Sequence, residues 1–193
     1  AALWTVAKVL LEGVALVVVI LLVFLGDIRS SVIVVATLIL TPLLTFFVMN
    51  QFGISANLMS LGGLAVAIGL MVDGSVVVVE NAFGHLGRPN KYGKRKVHII
   101  LKAVVEVATP VVFGIGIIIL VFLPLMTLKG MEGKMFAPLA FTIAIALAIS
   151  LLLSLTLTPV LSSYLLKGGA EHDPRLVGYL KKHYLRMLVW VLA

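Results

Sequence analysis

An all-α integral membrane protein is the fold class this sequence predicts, on three observations. The 193-residue chain is 62% hydrophobic and only 12% charged, well above the roughly 45–50% apolar content of a soluble domain. Its mean hydropathy is +1.22. Its apolar residues gather into runs of about 20 or more, the length at which a helix crosses the hydrocarbon layer. Cysteine is absent, which excludes disulfides, thiolate ligands and thiol redox chemistry within the chain.

Five spans are expected, at about 5–25, 31–49, 57–83, 97–126 and 135–166, in one transmembrane domain over residues 1–168. The first closes on Gly26-Asp27-Ile28-Arg29-Ser30 and the second on Asn50-Gln51-Phe52-Gly53, both rich in turn formers. The third ends before the basic stretch Gly84 to Lys96, and the fourth before Thr127 to Lys134. The fifth run is too long for one level crossing, so tilt or projection beyond the bilayer is expected. After Gly168-Gly169 comes Asp173-Pro174, an N-cap followed by a first-turn proline. Leu176, Leu180, Tyr184 and Leu188 then recur every four residues, with Lys181, Lys182 and Arg186 off that stripe. Residues 173–190 are therefore expected as an amphipathic helix on the membrane surface.

Charge placement orients these spans. Arg88, Lys91, Lys94, Arg95 and Lys96 lie in the third connection and Lys167, Arg175, Lys181, Lys182 and Arg186 in the tail, against only Lys129 and Lys134 in the second and fourth connections. The positive-inside rule makes the basic side cytoplasmic and puts the N-terminus outside. The net charge of +7 fits this topology and contact with anionic lipid rather than nucleic acid. Lys8 is the only early basic residue and no small-residue cleavage site follows the first run, so no signal peptide is expected. An outside N-terminus and the missing initiator Met lead to the expectation that a span precedes this one in a longer protein.

The third span carries the feature that composition does not explain. Asp73 and Glu80 are its only charged residues from Leu58 to Asn81. A charge near the bilayer centre costs at least about 2.5–3.5 kcal/mol, so a carboxylate there points to proton relay. Seven residues are two helical turns, about 10 Å of rise with nearly one facing, so both address the same neighbour. The bland alternative places Glu80 at the cytoplasmic interface beside Asn81. No Lys or Arg lies mid-span, so a cationic partner must come from elsewhere. Gly62, Gly63, Gly69 and Gly74 offer close helix approach. Thr156 and Thr158, the latter before Pro159, are expected to support helix packing or to line a water path.

Gly53-Ile-Ser-Ala-Asn57 through Asp73-Gly74 to Glu80-Asn81 resembles the fourth transmembrane helix of resistance-nodulation-division (RND) efflux pumps. Leu25-Gly26-Asp27-Ile28-Arg29, Glu106 to Phe113, Phe136-Ala-Pro138 and Thr156-Leu-Thr158-Pro159 extend the likeness over nearly the whole chain. It implies helices two to six of an N-terminal transmembrane half in a bacterial inner membrane. Multidrug members typically carry adjacent aspartates where this chain has Asp73-Gly74, which resembles the heavy-metal branch. The resemblance gives Asp73 and Glu80 roles in a proton pathway. It also implies partners: the first helix, periplasmic domains and second transmembrane half of the same pump, a homotrimer, a periplasmic adaptor and an outer-membrane channel.

The metal stays open at this point. Ala67 stands where cobalt-zinc-cadmium members commonly carry a further Asp, and Leu147 where copper and silver members carry a methionine facing the positions of Met59 and Met71. Those two methionines are candidate metal contacts, with apolar filling as the plainer reading. His85, His98, His172 and His183 lack metal-site spacing and are expected at the surface. His98, Lys102 and Glu106 follow i, i+4 spacing, expected as a solvated helix face. No phosphate-binding Gly-rich loop is present, so no nucleotide cofactor is expected. The function expected is secondary transport, a metal/proton antiporter and not an enzyme. The rivals are a multidrug-type pump, a sensing or export module of the same shape, and a passive channel, the last lacking any filter sequence.

Overall fold

Backbone groups in hydrocarbon must be satisfied within their own segment, and the apolar runs meet that demand by forming helices. The computed structural model describes residues 2–87, 95–166, 183–184 and 187–188, and among these there is no strand. The elements are α1 (Ala2–Leu25), α2 (Ile28–Gln51), α3 (Leu58–Gly87), α4 (Lys96–Met126), α5 (Gly130–Leu155) and α6 (Leu157–Leu165). By length and composition Ile28–Gln51, Leu58–Gly87, Lys96–Met126 and Gly130–Leu165 can each cross a membrane, and Leu11–Leu25 is a shorter apolar helix. In order, these match the five expected runs. The surface helix expected at 173–190 lies largely outside the described residues, as do His172 and most of the basic third connection.

Side-chain caps explain where α2 and α3 start. The Asp27 carboxylate accepts the Ser30 N–H at 3.0 Å and the Ser30 hydroxyl at 2.9 Å, so α2 begins three residues before the expected Ser31. Asn57 accepts the Ser60 N–H at 2.9 Å, and the Ser60 hydroxyl lies 2.9 Å from the Ser55 carbonyl oxygen. The Ser55 to Ser60 motif is thus a helix start. Gly26 links α1 to α2 at φ 62°, a left-handed backbone that favours glycine.

The long fifth run is not one continuous helix; it breaks. α5 ends at Leu155 and α6 resumes at Leu157. Pro159 has no N–H for the Leu155 carbonyl one turn upstream, and its ring crowds that turn. Around the break, the Thr156 hydroxyl donates to the Leu152 carbonyl and the Thr158 hydroxyl to that of Leu153 at 3.3 Å.

α3 touches every other helix and packs most extensively on α5. One buried cluster, including Ile33, Val78, Val79, Ile100 and Ala103, joins α2, α3 and α4. A second, including Leu64, Met71, Ile143 and Leu147, joins α3 to α5. Only 6% of the most apolar window of α4 is buried, and Val105, Phe113, Ile117, Leu120 and Val121 stay exposed, as suits contact with lipid. Glycine sets the α3–α5 spacing at one point: a Cβ on Gly63 would lie 2.7 Å from the Leu139 carbonyl oxygen, whereas Gly62 faces open space.

Gly63→Val is therefore expected to lower stability by roughly 1–3 kcal/mol, because the obstruction is backbone and the helices must separate. Gly62→Val should change it by less than about 0.5 kcal/mol. Unfolding titration of the two variants in mixed micelles would show equal losses if α3 and α5 did not meet here.

Candidate functional site

Helical geometry sorts α3 into two sides, since each residue turns the helix by about 100°. Val66, Gly69, Asp73, Val77 and Glu80 fall in one arc and all are exposed. The opposite arc, including Ala67, Met71, Ser75, Val78 and Val79, is buried. The two carboxylates therefore share an outward stripe on the most enclosed helix. Neither has an ion-pair partner among the described residues, where the pairs are Lys8–Glu12 at 3.8 Å and His85–Glu106 at 2.9 Å.

The other expected residues separate into distinct surroundings. Gly74 is buried, and a Cβ there would meet Ile115 at 3.4 Å and Ser154 and Val111 at 3.5 Å. Gly69 has open space where a side chain would project. Thr158 is buried and Thr156 exposed, each bonded back to the break between α5 and α6. Met71 lies in the core with Leu147, and Met59 is half-buried. Among the described residues no group of three or more His, Cys, Asp or Glu could hold a metal ion.

His85 departs from its expected surface position. Its side chain is 12% exposed, and Nε2 sits 2.9 Å from Glu106 Oε2. Glu106 was expected to share a solvated face with His98 and Lys102, and that face is exposed at all three, but the Glu106 carboxylate reaches across to α3. Beside it, Asn81 donates to the Ala103 carbonyl at 2.7 Å. Lys96 donates to the Ser163 carbonyl at 2.6 Å, tying α4 to the end of α6.

Hydroxyls are what the sequence reading missed. Among the described residues every buried polar side chain is Ser or Thr. Behind Asp73, the Thr37 hydroxyl donates to the Val34 carbonyl at 2.8 Å and its Oγ1 lies 3.1 Å from Ser75 Oγ, which in turn lies 2.8 Å from Ser154 Oγ. The Ser150 hydroxyl donates to the Met71 carbonyl at 3.0 Å. A signal existed: Thr37, Thr41 and Thr45 recur every four residues, as do Ser150, Ser154, Thr158 and Ser162.

The family model described as the AcrB/AcrD/AcrF family matches residues 1–193. The chain is 42% identical over 197 residues to the cobalt-zinc-cadmium resistance protein CzcA of Cupriavidus metallidurans, covering 98% of this chain and 18% of that protein. It is 44% identical over 191 residues to protein HelA of Legionella pneumophila, covering 95% of this chain and 18% of that one. The crystal structure of a heavy metal efflux pump superposes with a TM-score of 0.70 at 39% identity, over 82% of this chain and 15% of that one. The chain thus spans about 18% of the length of the curated relatives it matches.

A lipid-soluble carbodiimide, which reaches carboxyl groups open to the lipid, is expected to modify the α3 peptide in vesicles, and Asp73→Asn to remove most of that modification. Peptide mass spectrometry reads the result. Labelling confined to Glu12 and Glu132 would show that the α3 stripe is not open.

Proposed function

This chain belongs to the AcrB/AcrD/AcrF family, and from that premise we propose that it is the part of a proton-driven heavy-metal efflux pump that carries one side of the proton relay. The observation that carries the reading is the exposed stripe bearing Asp73 and Glu80 on the helix most enclosed by the others. A carboxylate held without a cation in an apolar span is costly unless it is protonated or meets a partner. The relay reading uses that cost. Asp73 takes a proton from one side of the membrane, loses it when a cation from beyond this chain approaches, and the change in charge alters how α3 packs against what faces it. Glu80, two turns nearer the basic side, passes protons between Asp73 and the cytoplasmic surface.

Metal as the exported cargo is supported by the relatives, which include a cobalt-zinc-cadmium resistance protein and a heavy metal efflux pump. A Cβ at Gly74 would meet the side chains of Ile115, Ser154 and Val111 at 3.4–3.5 Å, so a larger acidic group there would require those side chains to rearrange. In this reading residues 1–168 form the transmembrane domain in a bacterial inner membrane, and the tail lies on its cytoplasmic face. Metal binding and expulsion fall to periplasmic domains. The second transmembrane half supplies the cation facing Asp73. The remaining partners are a homotrimer, an adaptor and an outer-membrane channel.

Asp73→Asn, placed in the complete pump, is expected to reduce metal-coupled proton flux in vesicles to the level of vesicles lacking the pump, and Glu80→Gln to leave partial flux. Full transport by the Asp73 variant would end the relay reading. Gly74→Asp should destabilise the bundle by about 2 kcal/mol or more through an unpaired buried carboxylate, while Gly74→Ala stays near native in thermal unfolding.

A further inference from the structure

The turn of α3 that carries Asp73 is held from behind by hydroxyls on two other helices. Ser75 follows Asp73 by two residues, about 200° around the helix, so it projects from nearly the opposite side. Its Oγ sits between Thr37 of α2 at 3.1 Å and Ser154 of α5 at 2.8 Å. One turn earlier the Ser150 hydroxyl, also from α5, donates to the Met71 carbonyl at 3.0 Å. In helical register that carbonyl also accepts the Ser75 N–H, so side chain and backbone of the same turn are gripped together. Thr37, Ser75, Ser150 and Ser154 are all buried, each no more than 3% exposed.

Interdigitated apolar side chains already resist rotation of a helix about its own axis, and hydrogen bonds add a restraint of another kind. Hydrogen bonds are directional and weaken steeply when misaligned. In a buried apolar surrounding a lost partner is not replaced by water. A rotation of α3 by one residue's angle, about 100°, would break the Ser75 bridge and the Ser150 bond together, and would carry Asp73 off the open stripe. We infer that Ser75, bridged to Thr37 and Ser154, is a positioning residue that sets the axial rotation of α3 and thereby the direction in which Asp73 faces. Its significance for transport rests on the relay reading of Asp73; its structural content does not.

Leu70 and Val76 give a test with a sign. They lie about 60° to either side of Asp73, and both are half-buried in the native helix. The chain has no cysteine, so a single cysteine at either position can carry a nitroxide whose collision rate with oxygen reports exposure to lipid. In the reconstituted 193-residue chain, Ser75→Ala combined with Ser154→Ala is expected to raise oxygen accessibility at one flank and lower it at the other, by about twofold in ratio. Thr37→Val should shift the ratio in the same direction, and provides the test if the double variant does not fold. Ser75→Thr, which keeps the hydroxyl, should restore the native ratio, and Thr45→Ala, which removes a hydroxyl bonded only within α2, should leave it unchanged. An unaltered ratio overturns the inference, and so does a parallel rise at both flanks, which would mean simple loosening. In the complete pump Ser75→Ala should lower proton-coupled flux several-fold with rescue by Ser75→Thr. If Asp73→Asn transports normally while the flank ratio shifts as expected, the relay reading falls and the positioning role stands.

Discussion

Inside a bilayer no water is available to complete a hydrogen bond, and this bundle is organised around that shortage. Backbone groups are satisfied by helix formation. The buried side chains that retain polarity are hydroxyls, small groups able to turn onto a carbonyl of their own helix or onto a hydroxyl of a neighbour. Thr41 and Thr45 take the first course, donating to carbonyls one turn earlier at 2.7 Å. Thr37 takes both, donating to the Val34 carbonyl and meeting Ser75, and Ser75 and Ser154 take the second. The same constraint governs the break between α5 and α6, where Pro159 removes a donor and the Thr156 and Thr158 hydroxyls supply neighbouring carbonyls.

Carboxylates cannot be accommodated in that way, because an ionised group needs more than one hydroxyl can give. The bundle keeps both of them off its interior. α3 is the helix most surrounded by others, yet Asp73 and Glu80 lie on its one open stripe while its buried arc is filled by small and branched apolar residues. Their solvation is therefore decided by whatever lies against that stripe, and a helix with a dry, fixed back and a charged, open front is suited to respond to a change of charge. His85 and Glu106 show the contrast at the C-terminal end of α3, where an imidazole and a carboxylate meet within the chain between α3 and α4.

Membrane class, five apolar runs in order, and the shared facing of Asp73 and Glu80 were legible in the sequence, because length, hydropathy and the angle per residue are local properties of one strand of chain. The absence of a mid-span Lys or Arg in α3 was legible too. Caps were not legible: Asp27 and Asn57 show their role only once Ser30 and Ser60 close onto them. The expected surface position of His85 failed because spacing along α4 says nothing about a carboxylate that reaches to another helix.

What the sequence determined by itself was the list of costly residues and the face each takes on its own helix. Which faces meet was left to tertiary structure. Gly62 and Gly63 are adjacent and chemically identical, but only Gly63 has the Leu139 carbonyl against it, since the choice depends on how α5 approaches. Serine and threonine recur every four residues in two helices, a pattern that reads equally as packing or as a polar line. It becomes a grip on the Asp73 turn because α2 and α5 both bring a hydroxyl to Ser75. Helical periodicity is fixed by the covalent backbone, whereas that meeting depends on the packing of three helices at once, a non-local property that no single stretch of sequence encodes.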